Sequence, residues 1–102
     1  MNKTVRDGKV AILYSPGFGA GWYTWNKEYP ELLFDPGVVD LVENNKQEEL
    51  FAYVNLKWPD AYLGGMDRLQ IAWIPKGTSF RVTEYDGSES VETKDDPSWL
   101  TA

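Results

Sequence analysis

The chain has 102 residues, of which 42% are hydrophobic, 15% aromatic and 25% charged, a composition that suits one folded domain with a modest core. It contains no cysteine and no histidine, which excludes disulfides, a thiolate nucleophile, histidine-based triads and a zinc site built on those residues. Sixteen acidic against ten basic residues give a formal net charge of -6, so we expect no direct binding to nucleic-acid phosphates.

The same composition limits where the protein acts and what it needs. Residues 1–7 are polar and the first apolar run is too short for a secretory signal or a membrane span, so we expect a cytoplasmic protein that does not bind membranes. The carboxylates show neither EF-hand spacing nor a defensible catalytic pair. We therefore expect no cofactor, no metal and no catalytic residue.

The first element in chain order is a strand. Residues 1–8 are polar and are predicted to form a flexible N-terminus. Lys9–Tyr14 is β-branched and apolar on both faces, which predicts a central strand, or one pressed between a helix and a partner chain.

Glycines alternate with other residues directly after this strand, and aromatic residues follow them. The segment contains Gly17, Phe18, Gly19, Gly21, Trp22 and Trp25. Glycine allows close approach to the backbone, and rings supply stiff contact area, so the segment is predicted to be a flexible recognition loop. The alternative is that the glycines let the chain wrap its own aromatic side chains into the core.

This glycine pattern does not match the known nucleotide-binding motifs. Gly17 and Gly19 fit the first two positions of G-x-G-x-x-G, but the third position is Trp22, where close packing of helix on strand needs a small residue. No Gly-Lys-Ser/Thr follows, which excludes a P-loop. A Rossmann or P-loop site is therefore not expected.

Two short helices are predicted in the middle of the chain. Asp35-Pro36 is a cap followed by proline at the first helical position, and Asn44-Asn45 ends the apolar pattern that follows. Asn45 and Glu48 resemble a capping box for the second helix, which should end before Trp58-Pro59. Its inner face is predicted to consist of Leu50, Phe51 and Val54.

The C-terminal half is predicted to be mostly strands. A second loop rich in aromatics and glycine, residues 58–65, precedes a strand at 68–74. Ser79–Tyr85 and Ser88–Thr93 then form a hairpin around Asp86-Gly87, and residues 94–102 form a mobile acidic tail. We therefore predict a single α+β domain over residues 9–93, with a small antiparallel sheet of three to five strands and two short helices on one face.

Arginine is scarce, which makes two of its positions informative. Arg68 begins the strand after the second glycine loop, and Arg81 shares a strand face with Thr83 and Tyr85. A guanidinium group binds phosphate or carboxylate in a bidentate way and stacks on rings. The alternative for either arginine is a surface ion pair with Glu84, Asp67 or Glu92.

The run of residues 74–89, IPKGTSFRVTEYDGSE, resembles stretches of short uncharacterised proteins encoded by tailed phages and prophages. The resemblance covers part of the chain and brings no catalytic residues. It implies an accessory factor that blocks a host protein or sequesters a host signalling molecule.

These observations favour non-enzymatic binding of a small nucleotide-like ligand, such as a host defence signal. Phe18, Trp22 and Trp25 would stack on a base, while backbone N–H groups of residues 17–21 and Arg68 or Arg81 would meet phosphate. The alternatives are an acidic inhibitor that uses aromatic anchors on a basic host protein, a structural phage component without ligand and, last, a carboxylate-only enzyme. Exposed aromatic loops and strand edges also predict a homo-oligomer.

Overall fold

A computed structural model describes residues 1–93 and the backbone of residues 100–101. It contains six strands and two α-helices. The strands are β1 (Val5–Arg6), β2 (Lys9–Tyr14), β3 (Gln70–Pro75), β4 (Ser79–Tyr85), β5 (Ser88–Thr93) and β6 (Leu100–Thr101); the helices are α1 (Pro36–Glu43) and α2 (Gln47–Lys57). Two 3-10 turns, Pro30–Leu33 and Met66–Arg68, complete the regular structure.

The strands form two antiparallel sheets, with the orders β1-β2-β3 and β5-β4-β6. The predicted α+β class is confirmed, although the strands are divided between two sheets rather than joined in one. In the first sheet β2 pairs along its whole length with β3, from Lys9↔Pro75 to Tyr14↔Gln70, and has β1 on its other edge. The C-terminal hairpin does not extend this sheet; it forms a second sheet around β4 and packs Phe80 against Val10 and Ile12 of β2.

Strand β2 lies between two parts of the core. Its residues from Val10 to Leu13 are at most 1% exposed, which confirms the prediction of a central strand. Successive side chains of a strand point to opposite faces. Ala11 and Leu13 accordingly pack with the helices, in a cluster that includes Val54, while Val10 and Ile12 pack with Phe80 of the second sheet.

The first helix begins and ends where the sequence predicts. The Asp35 carboxylate accepts a hydrogen bond from the Val38 N–H at 3.1 Å, and Pro36 occupies the first helical position. At the other end Asn45 has a φ of 53°, and the Lys46 N–H donates to the Leu41 carbonyl at 3.0 Å. This is a Schellman ending with asparagine in the left-handed conformation.

The second helix departs from prediction at its start. The predicted capping box is wrong: α2 follows Lys46 with no side-chain cap, because Asn45 is already part of the ending of α1. Phe51 is 38% exposed, so the inner face of α2 consists of Leu50 and Val54 alone. The helix ends at Lys57, before Trp58-Pro59, as predicted.

The two ends of the chain add short pairings to the sheets. Within residues 1–8, β1 pairs with β2 through a turn at Asp7 and Gly8, and the Arg6 guanidinium bonds both carboxylate oxygens of Glu43 at 2.6 and 2.7 Å. The backbone of Leu100–Thr101 pairs with β4. The rest of the predicted mobile tail, 94–99 and 102, lies outside the described residues.

Candidate functional site

The glycine loop, residues 15–21, is fixed by hydrogen bonds to the turn of the C-terminal hairpin. The N–H of Gly19 donates to the Asp86 carbonyl at 2.6 Å, and the N–H of Gly21 donates to the Gly87 carbonyl at 2.8 Å. The Ala20 N–H donates to Gly17 at 3.2 Å. The predicted contact of this whole row of amides with phosphate is therefore wrong for residues 19–21. Only the amides of Gly17 and Phe18 lack an acceptor among the described residues.

Two glycine-containing turns pack directly on the glycine loop at this point. A Cβ on Gly65 would overlap the Cβ of Ala20, and a Cβ on Gly87 would lie 2.8 Å from the Ala20 nitrogen. Both glycines have positive φ, 74° and 83°, so backbone geometry and close packing exclude side chains together. The glycines therefore bring three turns into contact and leave the loop with a defined shape.

A buried glutamate connects β5 to both ends of this loop. Glu89 is 1% exposed, and its carboxylate accepts hydrogen bonds from the N–H groups of Ser15, Tyr23 and Thr24 at 2.8–3.0 Å and from the Thr24 hydroxyl at 3.0 Å. Four donors satisfy the charge that burial would otherwise make costly. Glu89 is thus a positioning residue that the sequence analysis missed.

One signal could have identified Glu89 from the sequence. The two-residue turn at Asp86-Gly87 sets the register of the hairpin and places Glu84 directly opposite Glu89. Like charges facing each other across two strands destabilise a sheet. One of the two carboxylates therefore had to have other partners.

The structure exposes two of the predicted aromatic residues. Phe18 is 77% exposed in the turn from Gly17 to Ala20. Trp25 is 44% exposed, and its ring centroid lies 5.3 Å from that of Tyr62, whose hydroxyl donates to the Gly19 carbonyl at 2.7 Å. One exposed ring therefore lies in the loop itself, and two more lie beside it.

The third aromatic residue, Trp22, belongs to the core, and its predicted role in stacking on a ligand is wrong. It is fully buried, and its indole N–H donates to the Leu32 carbonyl at 2.8 Å. In the sequence, the helical spacing of Trp22, Trp25 and Tyr29 favours Trp25 as the core residue, and the structure reverses this expectation. The chain turns at residues 22–25 instead of continuing as a helix, so helical spacing does not decide which ring points inward.

The two arginines have different surroundings. The Cδ of Arg68 lies 3.1 Å from where a Cβ on Gly17 would be, and its guanidinium has no hydrogen-bond or ion-pair partner among the described residues. Arg81 instead bonds Glu92 at 3.2 and 3.3 Å, which is the predicted alternative of a surface ion pair. Arg68 joins the site, and the structure does not bring Arg81 to it.

Arg68 faces a surface cavity of about 360 Å³. Its walls are formed by Gly17, Phe18, Gly65, Asp67 and Arg68. The cavity therefore combines an exposed ring, a guanidinium without a partner, a carboxylate and the edge of the glycine loop. Its volume is at the lower end of the range for small-molecule sites.

A second polar cluster, at the start of α1, has partners for all its groups. The Asp35 carboxylate accepts hydrogen bonds from the Tyr53 hydroxyl and from Lys57 Nζ, both at 2.7 Å. Burial, and then the bond to Asp35, raises the pKa of Tyr53, and the bond to Asp35 raises the pKa of Lys57. Both pKa values move away from neutrality, the opposite of what acid–base catalysis near pH 7 requires.

The described residues offer neither a metal site nor a membrane-spanning helix. No group of three or more acidic side chains there is placed to hold a metal ion. No helix in that part of the chain is long and apolar enough to cross a bilayer. Comparison with protein-family models, with curated proteins and with solved structures finds no match.

Proposed function

We propose that this protein is a non-enzymatic binder of a small nucleotide-like ligand, held in the cavity between Phe18 and Arg68. The observation that carries the proposal is that Arg68, without a partner among the described residues, lines the same cavity as the exposed Phe18. A cation and a ring at one small cavity match the phosphate and the base of a nucleotide.

Each part of the cavity has a role in this proposal. The Phe18 ring stacks on the base, a contact that does not depend strongly on which base is present. The guanidinium fork of Arg68 binds phosphate oxygens, and the amides of Gly17 and Phe18 can donate to the same group. The hydrogen bonds from Gly19 and Gly21 to the hairpin turn hold the loop in shape before the ligand arrives, which lowers the entropic cost of binding.

The resemblance of residues 74–89 to short phage proteins supports a biological setting for this binding. In that setting the chain is an accessory factor that sequesters a host defence signal in the host cytoplasm. Sequestration needs affinity and no turnover, which agrees with a site that contains one cation and no nucleophile–base pair.

The test is a nucleotide panel measured by thermal shift and calorimetry, with matched substitutions. Phe18→Ala and Arg68→Gln are expected to abolish the ligand-induced rise in melting temperature. Phe51→Ala removes an exposed ring on α2, and Arg81→Gln removes an exposed arginine on β4. Both variants should keep the ligand-induced rise in melting temperature. A wild-type protein that responds to no nucleotide, or controls that lose binding equally, would contradict the proposal.

A second candidate function is supported by the exposed pair of Trp25 and Tyr62. These neighbouring rings, at 44% and 51% exposure, have the character of anchors for a protein partner, and the net charge of -6 favours a basic one. Under this hypothesis the chain captures one host protein in a stoichiometric complex that weakens with added salt. Trp25→Ser abolishes this capture, while Phe18→Ala and Phe51→Ser do not. If capture instead depends on Phe18 and Arg68, the small-molecule cavity and the protein interface are the same surface.

A further inference from the structure

Opposite charges on neighbouring residues line the candidate cavity without pairing. Asp67 and Arg68 both form its wall, yet no ion pair within 4.0 Å joins them among the described residues. They belong to the 3-10 turn Met66–Arg68. With three residues per turn, successive side chains of such a turn point about 120° apart. The side chains of Asp67 and Arg68 therefore point in different directions, and their charges do not pair with each other.

The position of Arg68 is set by the glycine loop. Its stem runs over Gly17, where Cδ comes within 3.1 Å of a position that any side chain would occupy. A larger residue at position 17 would move the arginine away from this wall. The stem of Arg68 thus lies against the loop, and Asp67, the preceding residue, lines the same cavity.

This arrangement limits how much negative charge the cavity can accept. Arg68 is the one cation among its lining residues, and a guanidinium binds one phosphate in a bidentate way. Each additional phosphate would be repelled by the Asp67 carboxylate and by a chain of net charge -6. A carboxylate also accepts hydrogen bonds and donates none, so it favours a ligand with hydroxyl groups next to its phosphate.

We propose that the cavity selects a ribonucleotide with a single phosphate, whose ribose hydroxyls donate to Asp67 while its phosphate binds Arg68. This inference rests on the proposed function, because it assumes that the cavity binds nucleotides. It goes further in naming the phosphate number and the sugar that the site prefers. A carboxylate that accepts from a ribose hydroxyl is a recurring device in nucleotide recognition.

The experiment compares three sets of probes on the same protein by calorimetry. They are the four ribonucleoside monophosphates, their 2′,3′-dideoxy counterparts and the matching triphosphates. The wild type should bind at least one monophosphate about tenfold or more tightly than its dideoxy form, since a hydrogen bond to a charged group is lost. It should also bind that monophosphate more tightly than the triphosphate.

The variant Asp67→Asn should change the preference for ribose and for a single phosphate, and it should still bind nucleotides in the cavity. We expect the preference for ribose over dideoxyribose to fall several-fold, because the amide oxygen of asparagine still accepts a hydrogen bond but without the charge, and we expect the triphosphate to gain relative to the monophosphate. Asp60→Asn is the control, because it removes one exposed negative charge outside the cavity and should preserve both preferences.

Failure of this inference can be told apart from failure of the proposed function. If no probe binds the wild type, both are overturned. If nucleotides bind and Arg68→Gln abolishes binding, but triphosphates or dideoxy forms bind best and Asp67→Asn changes no ratio, the function stands and the selectivity is overturned. Equal ratio changes in Asp67→Asn and Asp60→Asn would also overturn it, because net charge alone would then explain them.

Discussion

At the scale of single residues, Glu89 links the second sheet to the glycine loop. Its carboxylate oxygens accept from backbone donors on both sides of the loop, at Ser15 and at Tyr23 and Thr24. The loop lies between these donors in the sequence, so one side chain fixes its entry and its exit. The shape of the candidate site therefore depends on a residue outside the cavity.

We predict that Glu89→Gln destabilises the protein by about 3 kcal/mol, because an amide NH₂ group would replace one acceptor and face N–H donors in a buried position. Urea unfolding measures the change. Glu92→Gln is the matched control: Glu92 is exposed and pairs with Arg81 at the surface, so its loss should cost less than about 1 kcal/mol. Equal effects of the two substitutions would show that the buried hydrogen bonds contribute little.

At the scale of elements, two hairpins share one turn sequence and differ in their surroundings. Asp7-Gly8 connects β1 to β2, and Asp86-Gly87 connects β4 to β5. All four residues have positive φ, between 48° and 83°, as a type I′ turn requires. A Cβ on Gly8 would meet nothing within 4 Å, whereas one on Gly87 would meet the backbone of Gly19 and Ala20.

This contrast separates backbone strain from close packing. Gly8→Ala should cost about 1–2 kcal/mol, which is the strain of a left-handed alanine. Gly87→Ala should cost more, about 3 kcal/mol or above, because the turn must also move away from the glycine loop. Thermal unfolding of the two variants measures both values. If they are equally stable, the packing of the hairpin on the loop is looser than the distances indicate.

The start of α1 carries a network that should respond to alkaline pH. The pKa values of Tyr53 and Lys57 are raised from their ordinary values of 10.0 and 10.5. The unfolded chain therefore loses these protons first as the pH rises. Their contribution to stability is fully present below about pH 10 and declines as the pH rises through the folded values.

We predict that Asp35→Asn flattens this alkaline decline. Asparagine is also a good N-cap, so the start of α1 is kept while the charge that acts on Lys57 and Tyr53 is removed. Urea midpoints at about pH 9 and about pH 11 should differ less in the variant than in the wild type. Asp35→Ala loses the cap as well, so it should be less stable than Asp35→Asn already at neutral pH. Parallel pH curves for the wild type and Asp35→Asn would contradict this account.

These elements show which parts of the fold could be predicted from sequence. Asp35-Pro36, Asn44-Asn45 and Asp86-Gly87 act through their own backbone conformation, and each element boundary they predict is confirmed. Asp7-Gly8 carries the same turn signal as Asp86-Gly87, yet residues 1–8 were predicted to be flexible. The polar composition of residues 1–8 favours a flexible segment, but the Asp7-Gly8 turn alone is enough to form the β1–β2 hairpin.

The site was less predictable, because it depends on contacts between distant residues. The sequence placed Phe18, Gly17 and Arg68 in one hypothesis, and the structure brings these three to one cavity. It could not tell that Trp22 is buried and Trp25 exposed, since both follow the same glycines. Which ring points inward is decided by the Trp22 bond to Leu32 and by the packing of Tyr62 on Trp25.

At the scale of the whole molecule, β2 separates the helices from the second sheet, and β3 forms one edge of the first sheet. No strand among the described residues pairs with the outer edge of β3. That strand is largely apolar, with the sequence QIAWIP. The outer strand β5 of the other sheet, SESVET, is mostly polar and carries the exposed Glu92, which discourages pairing between chains.

We therefore predict that the protein is a homodimer in which the β3 edges of two copies pair around a two-fold axis. Such pairing satisfies the open backbone groups of both copies with one self-complementary contact. Sedimentation at micromolar concentration should give at least twice the chain mass of 11.6 kDa. In hydrogen exchange, the outward amides of β3 should be protected in concentrated samples and should exchange after dilution. The outward amides of Ser90 to Thr93 in β5 should exchange in concentrated and in diluted samples alike. A mass of one chain throughout, or concentration-dependent protection in β5 instead of β3, would contradict this assembly.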